Sequence, residues 1–299
     1  MQKKRINTIT GDDNPLLGAH LSISKGFHNA IYSAHELGCN VLQIFTKSPN
    51  SWKERLVTDY EVNCFIRVKN ETGIKTVYSH TSYLINLSGN TNRKRTISLE
   101  ALKQEMLRAS ILEIPYVVHH PGFHTGIGEK EGIKFISEGI NELFNEISCD
   151  KVRLLLETGA GQGTCIGHTF DSLAEIIDRV NERDQIGVCI DTCHIFAAGY
   201  DIRTEKTYNN TIEQFESIIG LDKLFLLHLN DSKNTLGSKV DRHDHIGKGG
   251  IGLKGFEFIM NDERFAGIPK IIETPKGKKG DKQDIINLDK LRSLILMNS

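Results

Sequence analysis

The sequence lacks several features that would assign it to a class at once. It has no run of about 18 apolar residues, so no transmembrane helix or membrane partner is expected. Residues 1–14 are polar and basic with no apolar stretch behind them, unlike a signal peptide. Six cysteines in 299 residues, without a Cys-x-x-Cys pair, are too few for a disulfide scaffold. We therefore expect buried, reduced thiols and an intracellular protein.

The chain also has no excess of charge of either sign. Its 37 Lys and Arg against 38 Asp and Glu give a net charge of -1, which provides no overall attraction to nucleic acid. A DNA-binding protein of this composition must concentrate its positive charge on one face. Hydrophobic residues make up 38% of the chain and charged residues 25%, so a packed core is expected.

Short apolar segments alternate with segments of helical periodicity along the chain, and this alternation predicts the fold. Strands are predicted at Leu16–His20, Val41–Phe45, Thr76–His80, Tyr116–His120, Arg153–Glu157, Gly187–Asp191, Leu224–His228 and Lys270–Glu273. Helical patterns include Lys25–Leu37, Ser98–Ile111, Gly132–Ile147, Thr169–Val180, Thr211–Ile219, Phe256–Met260 and Asp284–Met297.

Eight strand–helix alternations without a break in composition favour an α/β fold, a single-domain (β/α)8 TIM barrel over residues 15–299. An open, doubly wound sheet is the main alternative, although no Gly-x-Gly-x-x-Gly follows the first strand. Residues 1–14 are predicted to be a flexible basic N-terminal extension, with a DNA-contacting arm as the less favoured alternative.

Metal-capable side chains recur where the predicted strands end. They are His80, His120, Glu157, Asp191, His228 and Glu273, with His194 three residues after Asp191 and with Asp241 and His243 in the loop after the seventh strand. All strand C-termini of a parallel barrel open on one face, so these side chains should converge there. A single strand-end histidine is usually only a hydrogen-bonded polar residue, but repetition along consecutive strands indicates one shared site.

Imidazole and carboxylate groups, without a thiolate cluster, suit zinc and also manganese or iron. Nine such groups are too many for one tetrahedral ion and suit two or three ions that share carboxylates. Glu157 is a natural bridge because its two oxygens can reach different ions. We interpret the neighbouring His119 and Cys189 as packing residues from their positions along their strands.

The segments around these residues resemble the endonuclease IV family of apurinic/apyrimidinic (AP) endonucleases from about Leu16 to the C-terminus. The matching segments are Gly18-Ala19-His20-Leu21-Ser22, His80-Thr81-Ser82-Tyr83-Leu84-Ile85-Asn86-Leu87, His120-Pro121-Gly122, Glu157-Thr158-Gly159-Ala160-Gly161-Gln162-Gly163, Asp191-Thr192-Cys193-His194, His228-Leu229-Asn230-Asp231-Ser232, Asp241-Arg242-His243 and Glu273-Thr274-Pro275. The order and spacing of all nine candidate ligands match this family.

The resemblance implies three zinc ions, with manganese as an alternative at one site. His80, His120 and Glu157 would hold the first ion; Glu157, Asp191, His228 and Glu273 the second; and His194, Asp241 and His243 the third. Glu157, Asp191 and Glu273 would be the catalytic carboxylates.

The implied enzyme is a hydrolase of phosphoric diesters, of the deoxyribonuclease IV (phage-T4-induced) type, active in base excision repair. A metal-bridging hydroxide would cut duplex DNA 5′ to an abasic site, leaving a 3′-hydroxyl and a 5′-deoxyribose phosphate. The resemblance also implies a 3′-end repair activity and, as we interpret it, a monomer.

For DNA binding, the resemblance points to Tyr83 as an aromatic side chain that fills the gap left by a flipped abasic nucleotide. Other expected contacts are Lys47, Asn50, Trp52 and Arg242, although some relatives carry arginine in place of Asn50. Basic residues are concentrated in loops predicted on the ligand face: Lys47, Lys53, Arg55, Arg93, Lys94, Arg95, Lys233, Lys239, Arg242, Lys276, Lys278, Lys279 and Lys282. Together they would form the positive face that phosphate binding needs.

Two other functions fit parts of this pattern. A metal-dependent sugar isomerase or epimerase on the same barrel would need fewer ligands and a proton-transfer pair, and the third ligand set and the basic loops argue against it. A catalytically silent binder of DNA lesions would be expected to have lost at least one ligand, and all nine are present.

Overall fold

The computed structural model describes residues 15–149, 151–277 and 282–296, and its centre is a closed barrel of eight parallel strands. The strands are β1 (Leu17–Leu21), β2 (Val41–Phe45), β3 (Thr76–His80), β4 (Tyr116–His119), β5 (Arg153–Glu157), β6 (Ile186–Asp191), β7 (Leu224–His228) and β8 (Lys270–Ile272). Each strand pairs with the next in chain order, and β8 closes on β1. The predicted single TIM barrel is confirmed, and the open sheet is excluded.

Helices surround the barrel and connect its strands. They are α1 (Phe27–Glu36), α2 (Asp59–Thr72), α3 (Asn92–Ile111), α4 (Glu129–Glu146), α5 (Phe170–Asp178), α6 (Thr192–Ala198), α7 (Glu205–Ile218), α8 (Gly252–Asn261) and α9 (Lys282–Ser293). Two short antiparallel ribbons lie in the loops, pairing Gly122–Phe123 with Cys165–Ile166 and Asp231–Ser232 with His243–Asp244. The second ribbon carries His243 back towards the barrel mouth.

The strand boundaries agree with the sequence prediction to within one residue, whereas helix α3 begins six residues before the predicted Ser98. Its first turns are polar and basic, so apolar periodicity did not reveal them. The hydroxyl of Thr91 accepts a hydrogen bond from the backbone N–H of Lys94 and caps the helix there. A capping residue therefore sets this boundary.

The barrel interior below the mouth is filled by one ring of side chains, namely Val41, Tyr78, Val118, Leu155, Cys189, Leu226 and Ile271, all buried. Cys189 belongs to this ring, as predicted for a packing residue. Strand β1 comes too close to β2 for a side chain at Gly18, where a Cβ would lie 2.0 Å from the carbonyl oxygen of Val41. The ring provides a dry floor for the polar groups above it.

Some sequence predictions fall outside the part of the chain that the structure describes. They are the N-terminal extension over residues 1–14 and the two loop lysines Lys278 and Lys279. In the described ranges, every helix is too short or too polar to span a lipid bilayer. All six cysteines are free thiols, and five of them are buried.

Candidate metal centre

The nine predicted ligands meet at the C-terminal mouth of the barrel. Four of them end barrel strands: His80 ends β3, Glu157 β5, Asp191 β6 and His228 β7. His120 and Glu273 directly follow β4 and β8, His194 lies on α6, and Asp241 and His243 lie in the loop after β7. The sequence prediction that these side chains converge agrees with this geometry.

Their donor atoms form groups in which all atoms lie within 4.8 Å of one another. Three groups are His80, His120 and Glu157; Glu157, Asp191, His228 and Glu273; and His194, Asp241 and His243. These groups coincide with the three ligand sets that the family resemblance implies. A fourth group joins Asp191 and His243 to the buried thiol of Cys193, whose pKa burial raises to about 12.

Two carboxylates lie between the groups. One oxygen of Glu157 is 3.0 Å from His80 Nε2 and 3.3 Å from His120 Nε2, while the other is 2.9 Å from His228 Nδ1. Asp191 Oδ2 lies 3.8 Å from His228 Nδ1 and 3.6 Å from His243 Nε2. Each of these carboxylates therefore faces two neighbouring donor groups at once.

Backbone carbonyl groups determine which imidazole nitrogen faces the centre. The Nδ1–H groups of His80, His194 and His243 donate to carbonyl oxygens, those of Thr81 at 2.9 Å, Thr158 at 2.8 Å and Glu273 at 3.2 Å. The Nε2 lone pair of each ring then faces the other candidate metal ligands. This arrangement is typical of histidines prepared to bind a metal.

The distances within the third group, His194, Asp241 and His243, show whether a cation would fit there. His194 Nε2 lies 3.4 Å from His243 Nε2, and Asp241 Oδ1 lies 3.3 Å and 3.4 Å from these two nitrogens. With both Nδ1 atoms protonated, the Nε2 lone pairs of the two neutral rings and the Asp241 carboxylate all converge on one point. A divalent cation satisfies all three groups, so the residues present fit a metal ion.

The electrostatics of the site agree with this interpretation. Burial raises the pKa of Glu157, but the imidazoles of His120 and His228 outweigh it and hold that pKa well below its usual range. Burial lowers the pKa of His194, but Asp191 and Asp241 outweigh it and raise the pKa well above 6.5. The concentrated carboxylates thus stabilise positive charge at the position that a cation would take.

Asp191 and Asn230 connect the centre to the surrounding fold. Asp191 Oδ1 caps helix α6 by accepting the backbone N–H groups of Cys193 and His194, which places the His194 ring over the mouth. The amide of Asn230 donates to Asp191 Oδ2 at 2.7 Å, and its oxygen accepts the backbone N–H of Glu273 at 2.8 Å. Two candidate ligands are therefore held through one buried amide.

Sequence analysis did not assign two further residues at the centre. His20 Nδ1 lies 2.8 Å from Glu273 Oε1, and Gln43 reaches both Glu273 and His228. His20 lies near the end of strand β1, so its strand-end position is the signal that would have found it. Gln43 carries no such signal, because a glutamine within a strand is not a typical ligand.

His119, interpreted as a packing residue, is fully buried beside the centre. Its Nδ1 lies 3.0 Å from the hydroxyl of Thr81, and burial lowers its pKa to about 3. The ring is therefore neutral and hydrogen-bonded.

The expected DNA-contacting residues surround the mouth. Tyr83 is 60% exposed, its ring is 5.4 Å from that of Phe45, and it lines two depressions of about 240 and 890 Å³ on either side. Asn50 and Trp52 are exposed on the loop after β2, and Arg242 is exposed on the loop that carries Asp241 and His243. These four side chains are accessible to a ligand that crosses the mouth.

Lys47 differs from this expectation. Its side chain is 2% exposed, and Nζ donates to the carbonyl of Ser51 at 2.9 Å and to the carboxylate of Glu54 at 3.0 Å. The ammonium group is buried within its own loop, so the predicted direct contact with DNA is not supported. Its burial became visible only in the tertiary structure, because its partners come from the folded loop.

The basic loops are also partly neutralised. Lys276 Nζ contacts Asp284 Oδ2 at 2.6 Å, and the guanidinium group of Arg55 pairs with the carboxylate of Glu61. The positive face around the mouth is therefore weaker than a count of basic residues suggests.

Comparison with known proteins gives consistent results over almost the whole chain. A family model described as a xylose isomerase-like TIM barrel matches residues 31–293. The probable endonuclease 4 of Citrifermentans bemidjiense is 47% identical over 280 residues, which cover 94% of this chain and 99% of that protein. The probable endonuclease 4 of Chloroflexus aggregans is 44% identical over 281 residues, covering 94% and 98% of the two chains.

Among solved structures, endonuclease IV from Thermus thermophilus is similar with a TM-score of 0.83 and 33% identity, covering 94% of this chain and 98% of that one. A D-tagatose 3-epimerase-like protein is similar with a TM-score of 0.68 and 17% identity, covering 93% and 98% of the two chains. The second likeness shows a shared fold only.

Proposed function

Because this chain belongs to the endonuclease IV family, we propose that it is a DNA repair endonuclease that hydrolyses the phosphodiester 5′ to abasic sites in duplex DNA. The products would be a 3′-hydroxyl and a 5′-deoxyribose phosphate. One observation carries the proposal. Nine histidine and carboxylate side chains form adjoining donor groups at the barrel mouth, and Glu157 lies between two of them.

We propose that the donor groups hold three zinc ions, with manganese possible at one position. Such ions, when bound, lower the pKa of water and neutralise negative charge on a phosphodiester. We assign Glu157, Asp191 and Glu273 as the catalytic carboxylates that would touch these ions. Glu157 is fully buried, so no bulk water competes for its oxygens. Its two oxygens lie 3.0 Å from His80 Nε2 and 2.9 Å from His228 Nδ1, so each already faces a candidate metal ligand before substrate binds.

The substrate class is supported by what surrounds the centre. Tyr83 stands exposed beside His80, with their ring centroids 6.1 Å apart, and an aromatic ring there can stack in the gap of an extruded abasic nucleotide. Asn50, Trp52 and Arg242 would contact the duplex along the same face. All nine candidate ligands come from one chain, so we propose that a monomer suffices. The same centre would act on phosphodiesters at blocked 3′ ends.

The sugar epimerase alternative shares the fold but lacks a supporting observation in this centre. Such an enzyme needs an acid–base pair of side chains free to exchange protons with a sugar. Here Asp241 and His243 face His194 at 3.3 Å and 3.4 Å, and the three form one donor group. Sugar epimerisation would not require this third donor group.

The test is incision of a duplex that carries one tetrahydrofuran abasic analogue by zinc-loaded protein. We expect a single cut 5′ to the analogue and none in an undamaged duplex of the same sequence. Glu157→Gln should abolish incision while circular dichroism remains unchanged, and the exposed control Glu138→Gln on α4 should cut normally. An intact duplex, with isomerisation of a sugar by the same preparation, would refute the proposal.

A further inference from the structure

Gln43 lies on strand β2 directly beneath the metal centre and is fully buried. Its side-chain amide reaches two candidate ligands from different strands, His228 and Glu273. We infer that Gln43 is a positioning residue that fixes which nitrogen of His228 coordinates a metal and orients the carboxylate of Glu273. This inference rests on the metal centre of the proposed function.

The carboxylate of Glu273 fixes the orientation of the amide. Its Oε1 lies 2.6 Å from Gln43 Nε2, and a carboxylate only accepts hydrogen bonds, so the amide nitrogen must be on that side. The reverse orientation would bring two acceptor oxygens together in a buried site. The amide oxygen of Gln43 therefore faces His228, whose Nε2 is 2.9 Å away.

The amide in turn fixes the tautomer of His228. Because the amide oxygen is an acceptor, His228 must carry a proton on Nε2, which leaves Nδ1 as the nitrogen that faces the carboxylates and can coordinate a metal. Nδ1 lies 2.9 Å from Glu157 Oε1 and 3.4 Å from Glu273 Oε2. In His80, His194 and His243 backbone carbonyls fix the opposite tautomer.

His228 differs from these three because no backbone carbonyl contact orients it in the described structure. Its Nε2 lies 2.9 Å from the amide oxygen of Gln43 on strand β2, and the thiol of Cys189 on strand β6 is a further side-chain neighbour of the ring. Among the described residues, the side-chain hydrogen bonds of Gln43 reach His228 and Glu273, both in the group Glu157, Asp191, His228 and Glu273, and also His20, which is in none of the three groups. Replacing Gln43 should therefore lower the affinity of the protein for one metal ion by about 10- to 100-fold and leave the binding of the other ions unchanged.

The first measurement follows zinc release by competition with a chromophoric chelator, using zinc-loaded wild-type protein, Gln43→Leu and the smaller Gln43→Ala. We expect one class of zinc to bind about 10- to 100-fold more weakly in both variants, with the remaining zinc unchanged. Gln104→Leu makes the same chemical change on the outer helix α3 and should bind zinc like the wild type. Unchanged zinc affinities in folded Gln43 variants would overturn the inference.

The second measurement reads the tautomer, which loss of stability alone would not change. In long-range ¹H–¹⁵N spectra of protein labelled at histidine, we expect one coordinated ring with its proton on Nε2. Gln43→Leu should alter that signal, and Gln104→Leu should not. A wild-type spectrum without such a ring would refute the role of Gln43. Wild-type protein that binds no zinc at all would instead refute the metal centre, and with it this role.

Discussion

Replacing Arg108 by leucine should destabilise the protein strongly, although the residue lies on α3, outside the metal centre. Its guanidinium contacts Glu105 at 2.9 Å, donates to the Thr46 hydroxyl at 3.1 Å and also pairs with Glu54. Glu54 is in turn bound by the buried Lys47. This network holds the start and end of the loop that carries Asn50 and Trp52.

The expected loss in the free energy of unfolding follows from the burial of the groups that Arg108 contacts. The side chain of Glu105 is 1% exposed, so loss of the guanidinium leaves its carboxylate buried with the Thr46 hydroxyl at 2.5 Å. Breaking a buried pair in this way costs about 3–5 kcal/mol. Glu54 is 36% exposed and keeps its ion pair with Lys47, so the loss of its contact with Arg108 adds little to the destabilisation. We therefore expect a loss in the free energy of unfolding near the lower limit, about 3 kcal/mol.

Urea denaturation at fixed zinc concentration measures this loss. The double variant Arg108→Leu/Glu105→Leu should recover most of it, because neither charge is then left unpaired. Arg179→Leu breaks an exposed pair with Glu175 and should cost no more than about 0.5 kcal/mol. An Arg108→Leu variant that unfolds like the wild type, or a double variant no more stable than the single one, would refute this role of the buried pair.

The remaining predictions concern the proposed site. Treatment with a chelator should abolish incision and lower the melting temperature, and added zinc should restore both; incision that persists in chelator would contradict the metal centre. Tyr83→Ala should raise the KM for abasic duplex on the order of tenfold, as expected for a lost stacking contact. The zinc content of this variant should be unchanged, and Tyr83→Phe should behave like the wild type. Asn230→Ala should cost about 1–3 kcal/mol in denaturation, because it leaves buried hydrogen-bonding groups of Asp191 and Glu273 unsatisfied.

Much of the fold was predictable because its signals are local. Buried parallel strands appear as short apolar segments, and all eight predicted strands match those observed within one residue at each end, β1 being shifted by one. The start of α3 was missed because Thr91 determines it through a cap rather than through periodicity. Helix α6 is seven residues long and begins at a cap formed by Asp191 itself.

The candidate ligands were predictable for a related reason. Parallel strands in a barrel point the same way, so a histidine or carboxylate at each strand end must reach the common mouth. This rule needs only strand ends and residue types, both visible in the sequence. It also applies to His20, which sequence analysis did not include in the centre.

The barrel, the nine candidate ligands and their family are thus all readable from the amino-acid sequence. The orientation of these groups and the neighbours available to them depend on the folded structure. In the folded protein the Lys47 side chain is buried and paired with Glu54, and the Gln43 amide lies between His228 and Glu273. Periodicity and strand-end position are properties of one segment, whereas hydrogen-bond partners arise where strands distant in the chain meet. A side chain such as Gln43 therefore acquires its role only when the barrel closes.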